Sequence, residues 1–217
     1  MTTGLPARPA PLVLAAPSGT GKTTIAHALV EGSVDFVFSI SVTTRPARKG
    51  ERDGVDYEFV GRETFLRLAE GGELVEWAEV HGNLYGTRRR VVEEARDRGK
   101  HPVLDIDVQG ARQIKERIPE AVLVFVFPPS GEVLRSRLTR RGTEDPAEVR
   151  RRLQTAHREM EEVVRFDYIV VNETLESAVA RVREIVTSEG HRVSRMLGLE
   201  GEVARIRDDI ERILADA

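Results

Sequence analysis

The run Ala16-Pro-Ser-Gly-Thr-Gly-Lys22-Thr23-Thr24 lies between a short apolar run, Leu12–Ala15, and a segment of helical periodicity, Thr24–Val30. That order constrains the chain more than any other feature. A loop of small residues lets successive backbone N–H groups converge on phosphate oxygens at a helix N-terminus. Lys22 can then reach the β and γ phosphates, and Thr23 can offer its hydroxyl to Mg²⁺. The run predicts a nucleoside-triphosphate site with phosphate contacts from Pro17, Ser18, Gly19, Thr20, Gly21, Lys22, Thr23 and Thr24. Ala16 stands where the consensus has Gly, which a negative φ would accommodate. A plain glycine-rich turn is the alternative, but it does not require Lys-Thr at the head of a helix. An Asn-Lys-x-Asp motif for guanine, usual in GTPases, is absent from the sequence.

Beyond this loop, apolar runs rich in β-branched residues alternate with longer helical patterns. The runs are Leu12–Ala15, Phe36–Ile40, Val103–Ile106, Val122–Phe127 and Tyr168–Val171. The helical patterns are Thr24–Val30, Val91–Arg98, Val108–Ile118, Glu132–Arg140, Ala147–Val164 and Leu175–Ser188. Continuous apolar strands joined by crossover helices predict a three-layer α/β domain with a mostly parallel sheet. Asp145-Pro146-Ala147-Glu148 offers an N-cap, a proline in the first turn and a capping-box Glu. The stretch 41–87 breaks the rhythm, with Val55–Val60 and Leu74–Val80 reading as half-exposed antiparallel strands of a small mixed insert.

At 217 residues the chain fits one domain on a prior of roughly 150 residues each. Residues 1–10, with Gly4, Pro6 and Pro9, read as a disordered tail, and 11–191 as the domain, with its core at 11–40 and 88–191. Residues 192–217 read as an amphipathic helix. There Leu199, Val203, Ile206, Ile210 and Ile213 recur at spacings of four and three, the seam of two heptads. That stripe either docks on its own domain or forms a dimer seam, so the chain is expected to be a monomer or a homodimer.

The sequence contains no Cys, which excludes disulfides and thiolate chemistry. No apolar run approaches the roughly 18 residues of a membrane span or resembles a signal peptide, so a soluble cytoplasmic protein without a membrane partner is expected. A net charge of -3 argues against a nucleic-acid binder. Only four of the 33 basic residues are Lys, so Arg dominates. Between Arg135 and Arg158, eight Arg face three acids.

Arg45 and Arg48, three apart beside hydroxyls and Tyr57, suit a dianionic phosphate, because guanidinium forks bind phosphate bidentately. A solvated charged loop is the other reading. The run Ser41-Val-Thr-Thr-Arg45-Pro-Ala-Arg48, then Asp56-Tyr57, Glu76-Trp77-Ala78, Gly82-Asn-Leu-Tyr85-Gly86-Thr87, Asp105-Ile-Asp107-Val-Gln109-Gly110 and Arg141-Gly142-Thr143 resembles the guanylate kinases. The match runs unbroken from about Leu12 to His191.

The resemblance implies that Arg45, Arg48, Tyr57 and Tyr85 hold the phosphate of GMP within the insert. Ser41, Glu76 and Thr87 then read guanine. A carboxylate at Glu76 can accept from N1–H and the 2-amino group together, a donor pair that adenine lacks. Taken alone, Glu76 is an acid in a strand. Asp105 ends an apolar run where parallel strands meet a ligand crevice, which suits a hold on Mg²⁺ beside Thr23, and in this family it also lies close to GMP. Asp107 either joins it or caps the next helix. The Arg-rich stretch 135–158 becomes a helical lid whose Arg137, Arg141 and Arg152, with Lys22, act on the transferred phosphoryl group. Arg140, Arg150, Arg151 and Arg158 fit a solvated face. Asn172 corresponds to a family position near adenine, although a strand-end Asn can be only a turn residue. The implied reaction takes the γ-phosphoryl group of ATP to GMP, and also to dGMP, with Mg²⁺ and no covalent enzyme intermediate. A non-catalytic guanylate-kinase-like module for a phosphorylated protein would lack the ATP machinery, and a sugar-phosphate kinase would lack Ser41, Glu76 and Thr87 together.

Overall fold

The structure, a computed structural model, describes residues 5–80, 82–139 and 145–216. Its centre is a five-stranded sheet in the order β2-β7-β1-β8-β9. The strands are β1 (Leu12–Ala15), β2 (Phe36–Phe38), β7 (His101–Ile106), β8 (Val122–Phe127) and β9 (Tyr168–Val171). Every pairing among them is parallel. β1 is the central strand and is buried along its whole length, which is why its residues are uniformly apolar.

Helices cover both faces. On one side, α1 (Lys22–Glu31) and α7 (Leu175–Gly190) bring Ile25, Leu29, Ala178 and Val182 against Leu12, Leu14, Val124 and Val170. On the other, α3 (Arg89–Asp97) and α4 (Val108–Arg117) bring Val92, Ala111 and Ile114 against Val13, Ala15, Leu104 and Leu123. The chain is thus a three-layer α/β fold. Its strand order reverses at β1, so the crevice at the carboxyl end of β1 and β7 is where such sheets take ligands.

The stretch 41–87 forms a second sheet in the order β4-β3-β6-β5, from β3 (Ser41–Thr43), β4 (Glu58–Phe59), β5 (Leu74–Val80) and β6 (Asn83–Arg88). Leu74–Val80 is an antiparallel strand as its alternation implies, whereas Val55–Val60 shrinks to two residues paired parallel with β3. The sequence reading also missed α2 (Arg62–Glu70). Phe65 and Leu68 of α2 pack on Val42, Leu74 and Leu84, giving the insert a core of its own. Gln113 of α4 ties it to the main domain by donating to the Trp77 carbonyl at 2.7 Å and accepting from the Trp77 amide at 3.3 Å.

Above the crevice, α5 (Gly131–Thr139) and α6 (Pro146–Glu161) pack through Leu134, Leu138, Val149 and Ala156. Asp145 caps α6 by accepting from the Ala147 amide at 3.0 Å, with Pro146 in the first turn. Glu148 does not close a capping box; it pairs with Arg151. The helix expected over 147–164 stops at Glu161 and tightens into a 3-10 turn, Glu162–Arg165.

The N-terminal segment departs from expectation, whereas the C-terminal helix is present as expected. Residues 5–10 are not a disordered tail: Ala7 bridges Met196, the Arg8 amide donates to the Arg195 carbonyl, and the Leu197 amide donates to the Pro6 carbonyl. Pro6 and Pro9 restrict the backbone to extended conformations, which suits a segment laid against 195–197. This junction is pinned by a buried ion pair, in which Arg195 donates to Glu189 Oε2 at 2.7 Å while Tyr168 donates to Glu189 Oε1 at 2.6 Å. At the other end, α8 (Leu199–Ala215) has no buried residue, so its stripe does not dock on its own domain. Glu189→Ala strands Arg195 as an unpaired buried charge and is expected to cost about 3 kcal/mol or more in unfolding free energy, measured by denaturant titration. A loss below about 1 kcal/mol would show that the pair does not anchor the termini.

Candidate functional site

A cleft of about 960 Å³ opens at the carboxyl end of β1 and β7, with the phosphate loop on one wall and the second sheet on the other. It is lined by 16–24, Ser41, Tyr57, Glu76, Tyr85, Asp105, Asp107, Gln109, Arg137, Thr155, Glu159 and Asn172, among others. The fold therefore brings most of the expected residues to one space.

The loop is built for close approach. Gly19 and Gly21 have φ of 87° and 91°, which L side chains rarely adopt. A Cβ on Gly21 would also fall 2.6 Å from Asn172 Nδ2. Ala16 is buried within the core against the α1 face, so its methyl fills space that a glycine would leave open. Lys22 and Thr23 open α1 and meet Asp105, which β7 places opposite Leu14 of β1. Lys22 Nζ is 2.6 Å from Asp105 Oδ1 and donates to the Ile106 carbonyl at 2.6 Å. The Thr23 hydroxyl donates to Asp105 Oδ2 at 2.5 Å. Hydroxyl and carboxylate are hard oxygen donors and fit Mg²⁺, which is usually held by one or two protein ligands together with nucleotide phosphates and water. Among the described residues no group of three or more His, Cys, Asp or Glu could hold a metal by itself.

On the opposite wall, β3, β6 and β5 are in a register that sets Ser41 beside Thr87 and Thr87 beside Glu76. The three form one row across the sheet. A β-bulge between Leu74 and Glu76 turns Val75 into the core behind α3 and α4 while Glu76 lines the cleft. Glu76 is 3 % exposed, and the Thr87 hydroxyl donates to its Oε1 at 2.6 Å. Burial pushes its carboxyl up to about 7, against the opposing pull of that hydrogen bond, with Asp107 adding to the rise. Gly110 permits this packing, because a Cβ there would lie 2.6 Å from Glu76 Oε2.

Two residues along the same row, Tyr85 pairs with Thr43. Its ring meets the Tyr57 ring edge-on at 6.2 Å, and the Arg45 guanidinium lies 5.1 Å from the Tyr57 centroid. Burial raises the Tyr57 phenol above its ordinary value, keeping it a neutral donor. Arg45 donates through Nη1 and Nη2 to Glu51 at 3.0 and 2.9 Å. Glu51 also accepts from the Arg48 amide at 2.7 Å. Glu51 was not anticipated from the sequence; a carboxylate three to six residues after paired Arg was the available signal. The hydrogen bond to Glu51 and one to Tyr85 hold Arg45 charged, raising its pKa above its ordinary value. Arg48 itself is exposed on the loop and does not line the cleft.

From above, Arg137 of α5 donates to the carbonyls of Thr20 and Asn172 at 2.9 and 3.0 Å, and Arg152 of α6 donates to the Ser18 hydroxyl at 2.7 Å. Arg141 lies outside the described residues. The Asn172 amide donates to the Thr20 carbonyl at 2.6 Å from a buried position, so the structure gives this side chain a brace under the phosphate loop. Asp107 caps α4 by accepting from the Gly110 amide at 2.8 Å, and it also lines the cleft. Glu159 of α6 was not anticipated. Its carboxyl faces the cleft with Oε2 unpartnered, and burial, then Asp107, lifts it to about 7.

A family model described as guanylate kinase matches residues 8–189. The chain is 48% identical over 194 residues to the guanylate kinase of Chelativorans sp. (strain BNC1), covering 89% of each. It is 50% identical over 183 residues to that of Thermotoga maritima, covering 84% of this chain and 88% of the relative. The crystal structure of guanylate kinase from Anaplasma phagocytophilum superposes with a TM-score of 0.76 at 39% identity, covering 91% of this chain and 94% of that one.

The raised carboxyl of Glu76 makes a stability test. Its folded-state value of about 7 lies above the ordinary 4.5, so the stability it confers is full below about pH 4.5 and is lost as pH rises through 7. Glu76→Gln escapes that loss while still accepting from Thr87. The variant's gain over the parent is expected to grow by roughly 1 kcal/mol between pH 6 and pH 8 in unfolding titrations. A gain that stays constant with pH would mean the carboxyl is ionised throughout.

Proposed function

The chain belongs to the guanylate kinase family, and on that premise we propose that the phosphate-loop wall of the cleft takes ATP while the second sheet takes GMP. The protein is an enzyme, an ATP:GMP phosphotransferase, which converts GMP to GDP at the expense of ATP. The observation that carries the site assignment is the row Ser41, Thr87 and Glu76, of which Ser41 and Glu76 line one cleft with Lys22 while Thr87 supports Glu76 from a buried position.

In this reading Glu76 accepts from N1–H and the 2-amino group of guanine, and Ser41 and Thr87 donate to O6 and N7. Arg45, held by Glu51, takes the GMP phosphate with Tyr57 and Tyr85; Arg48 reaches it by swinging in from the loop. The acceptor oxygen is already anionic, so no strong base is needed, and catalysis reduces to alignment and charge stabilisation. The loop amides of 17–24 hold the ATP phosphates, and Lys22 leaves Asp105 to follow the γ-phosphoryl group. Mg²⁺, when bound with ATP, would shield phosphate charge; Thr23 and Asp105 are the residues that would hold it. Arg137 and Arg152, with Arg141, close the lid 135–158 over the core 11–40 and 88–191 and keep water out. Asn172 lies within reach of the ATP site through its loop contact.

The same reading extends to dGMP and to a cytoplasmic enzyme with no nucleic-acid partner. Among the described residues no helix is long and apolar enough to cross a membrane. The oligomeric state, monomer or homodimer, turns on α8.

The test is a coupled ADP-release assay with GMP, IMP and AMP as acceptors. Lys22→Met is expected to lower turnover about a hundredfold to a thousandfold while GMP binding by calorimetry persists; unchanged turnover would remove the phosphate loop from the mechanism. Glu76→Gln loses a charged acceptor for the 2-amino group, so the preference for GMP over IMP is expected to fall about tenfold or more. An unaltered ratio of kcat/KM values sinks the guanine assignment.

A further inference from the structure

The helix α8 exposes an apolar stripe that no described part of its own chain covers. Val203, Ile206, Ile210 and Ile213 are 47, 46, 50 and 67 % exposed, and Leu214 beside them is 70 % exposed. Exposed side chains of this size are ordinary when scattered, but here they form one continuous line along a helix. The helix also has a fixed root: Gly198 caps it in a left-handed conformation, and the Leu197 amide is held by the Pro6 carbonyl. A helix of 17 residues is marginal alone in water and usually draws its stability from burying one face.

The charges beside the stripe indicate what covers it. With Leu199, Ile206 and Ile213 at d and Val203 and Ile210 at a, the flanking g positions hold Glu202 and Asp209, and the e positions hold Glu200, Arg207 and Leu214. In a parallel pair each g residue faces the e residue five places on in the other helix. Glu202 then meets Arg207 twice, once on each side of the seam. An antiparallel pair would set Glu202 and Asp209 against each other and Arg207 against its own copy. Arg205 and Arg212 pair within the helix with Glu202 and Asp209, whereas Arg207 makes no ion pair among the described residues. The one e-position cation is thus left for an acid from outside the chain.

We infer that α8 is a self-association element, which packs in parallel against α8 of a second copy of this chain with Arg207 of each facing Glu202 of the other. The seam runs two heptads, so the assembly is concentration-dependent. β-branched residues at both a and d also suit a third strand. The association does not depend on the nucleotide site, and the body of the enzyme keeps its fold without it because α8 contributes no buried residue.

Sedimentation or light scattering of the full chain over roughly a hundredfold range of concentration tests this. The expected result is a mass that rises to two or three chains and returns to one in Ile206→Asp/Ile210→Asp, with turnover of GMP retained. Arg207→Glu is expected to weaken association roughly fivefold, because each of the two pairs becomes a repulsion. Glu202→Arg with Arg207→Glu is expected to restore it. A mass of one chain at every concentration overturns the proposal. Tighter association in Arg207→Ala would also overturn it, since that is the signature of an antiparallel seam relieved of its Arg207 repulsion.

Discussion

Asp105 sits at the carboxyl end of the inner strand β7 and engages Lys22 and Thr23 through different oxygens. Lys22 is a cation with 18 % of its side chain exposed at the mouth of a polar cleft, and without a partner it would repel the loop amides that point the same way. The carboxylate neutralises it and fixes the first turn of α1, so the loop is shaped before any phosphate arrives. The register of β1 and β7 makes this possible by setting Leu14 against Asp105 and Ala15 against Ile106. Much of the parallel sheet can be understood as the frame that holds those two strand ends level.

The second sheet follows a different logic, in which recognition is set against stability. Glu76 is nearly excluded from water with one neutral hydrogen bond for support. A carboxylate so placed disfavours its own charge, and a ligand that offers two N–H donors repays that cost while a ligand that offers one does not. On the proposed reading, selectivity then arises from a buried carboxylate that only the right pair of donors satisfies. Gly110 and the bulge at Val75 are the backbone concessions that let the side chain come so close to α4.

These features differ in how legible they were. The phosphate loop and the strands of the main sheet could be read because each is a contiguous stretch whose pattern carries its own physics. The row Ser41, Thr87 and Glu76 became visible only through resemblance, since residues far apart in sequence meet by sheet register. The helix α2 was hidden because Phe65 and Leu68 form a short apolar face within a polar, glycine-bounded stretch, and that face matters only once β3, β5 and β6 supply its partner. The ordering of residues 5–10 was illegible for a similar reason: prolines that look like a tail in isolation become an edge segment when 195–197 lies beside them. Glu51 and Glu159 had no local signature beyond being acids near arginines.

Those two acids bear on how a site crowded with arginines stays closed to the wrong anions and open to the right ones. Arg45 is neutralised by Glu51, Lys22 by Asp105, and Arg137 is spent on backbone carbonyls, so little cationic charge in the cleft is uncommitted. A single phosphate or a stray anion must displace a carboxylate to bind and gains little from doing so. Two nucleotides with Mg²⁺ bring enough charge, in matching geometry, to exchange several of these internal pairs at once. Glu159 fits the same scheme: burial lifts its carboxyl to about 7, which weakens the repulsion it would exert on phosphates placed in the cleft on the proposed reading. Arg137 and Arg152 are held on backbone carbonyls and a hydroxyl, neutral partners that a polyphosphate would outbid on the proposed reading.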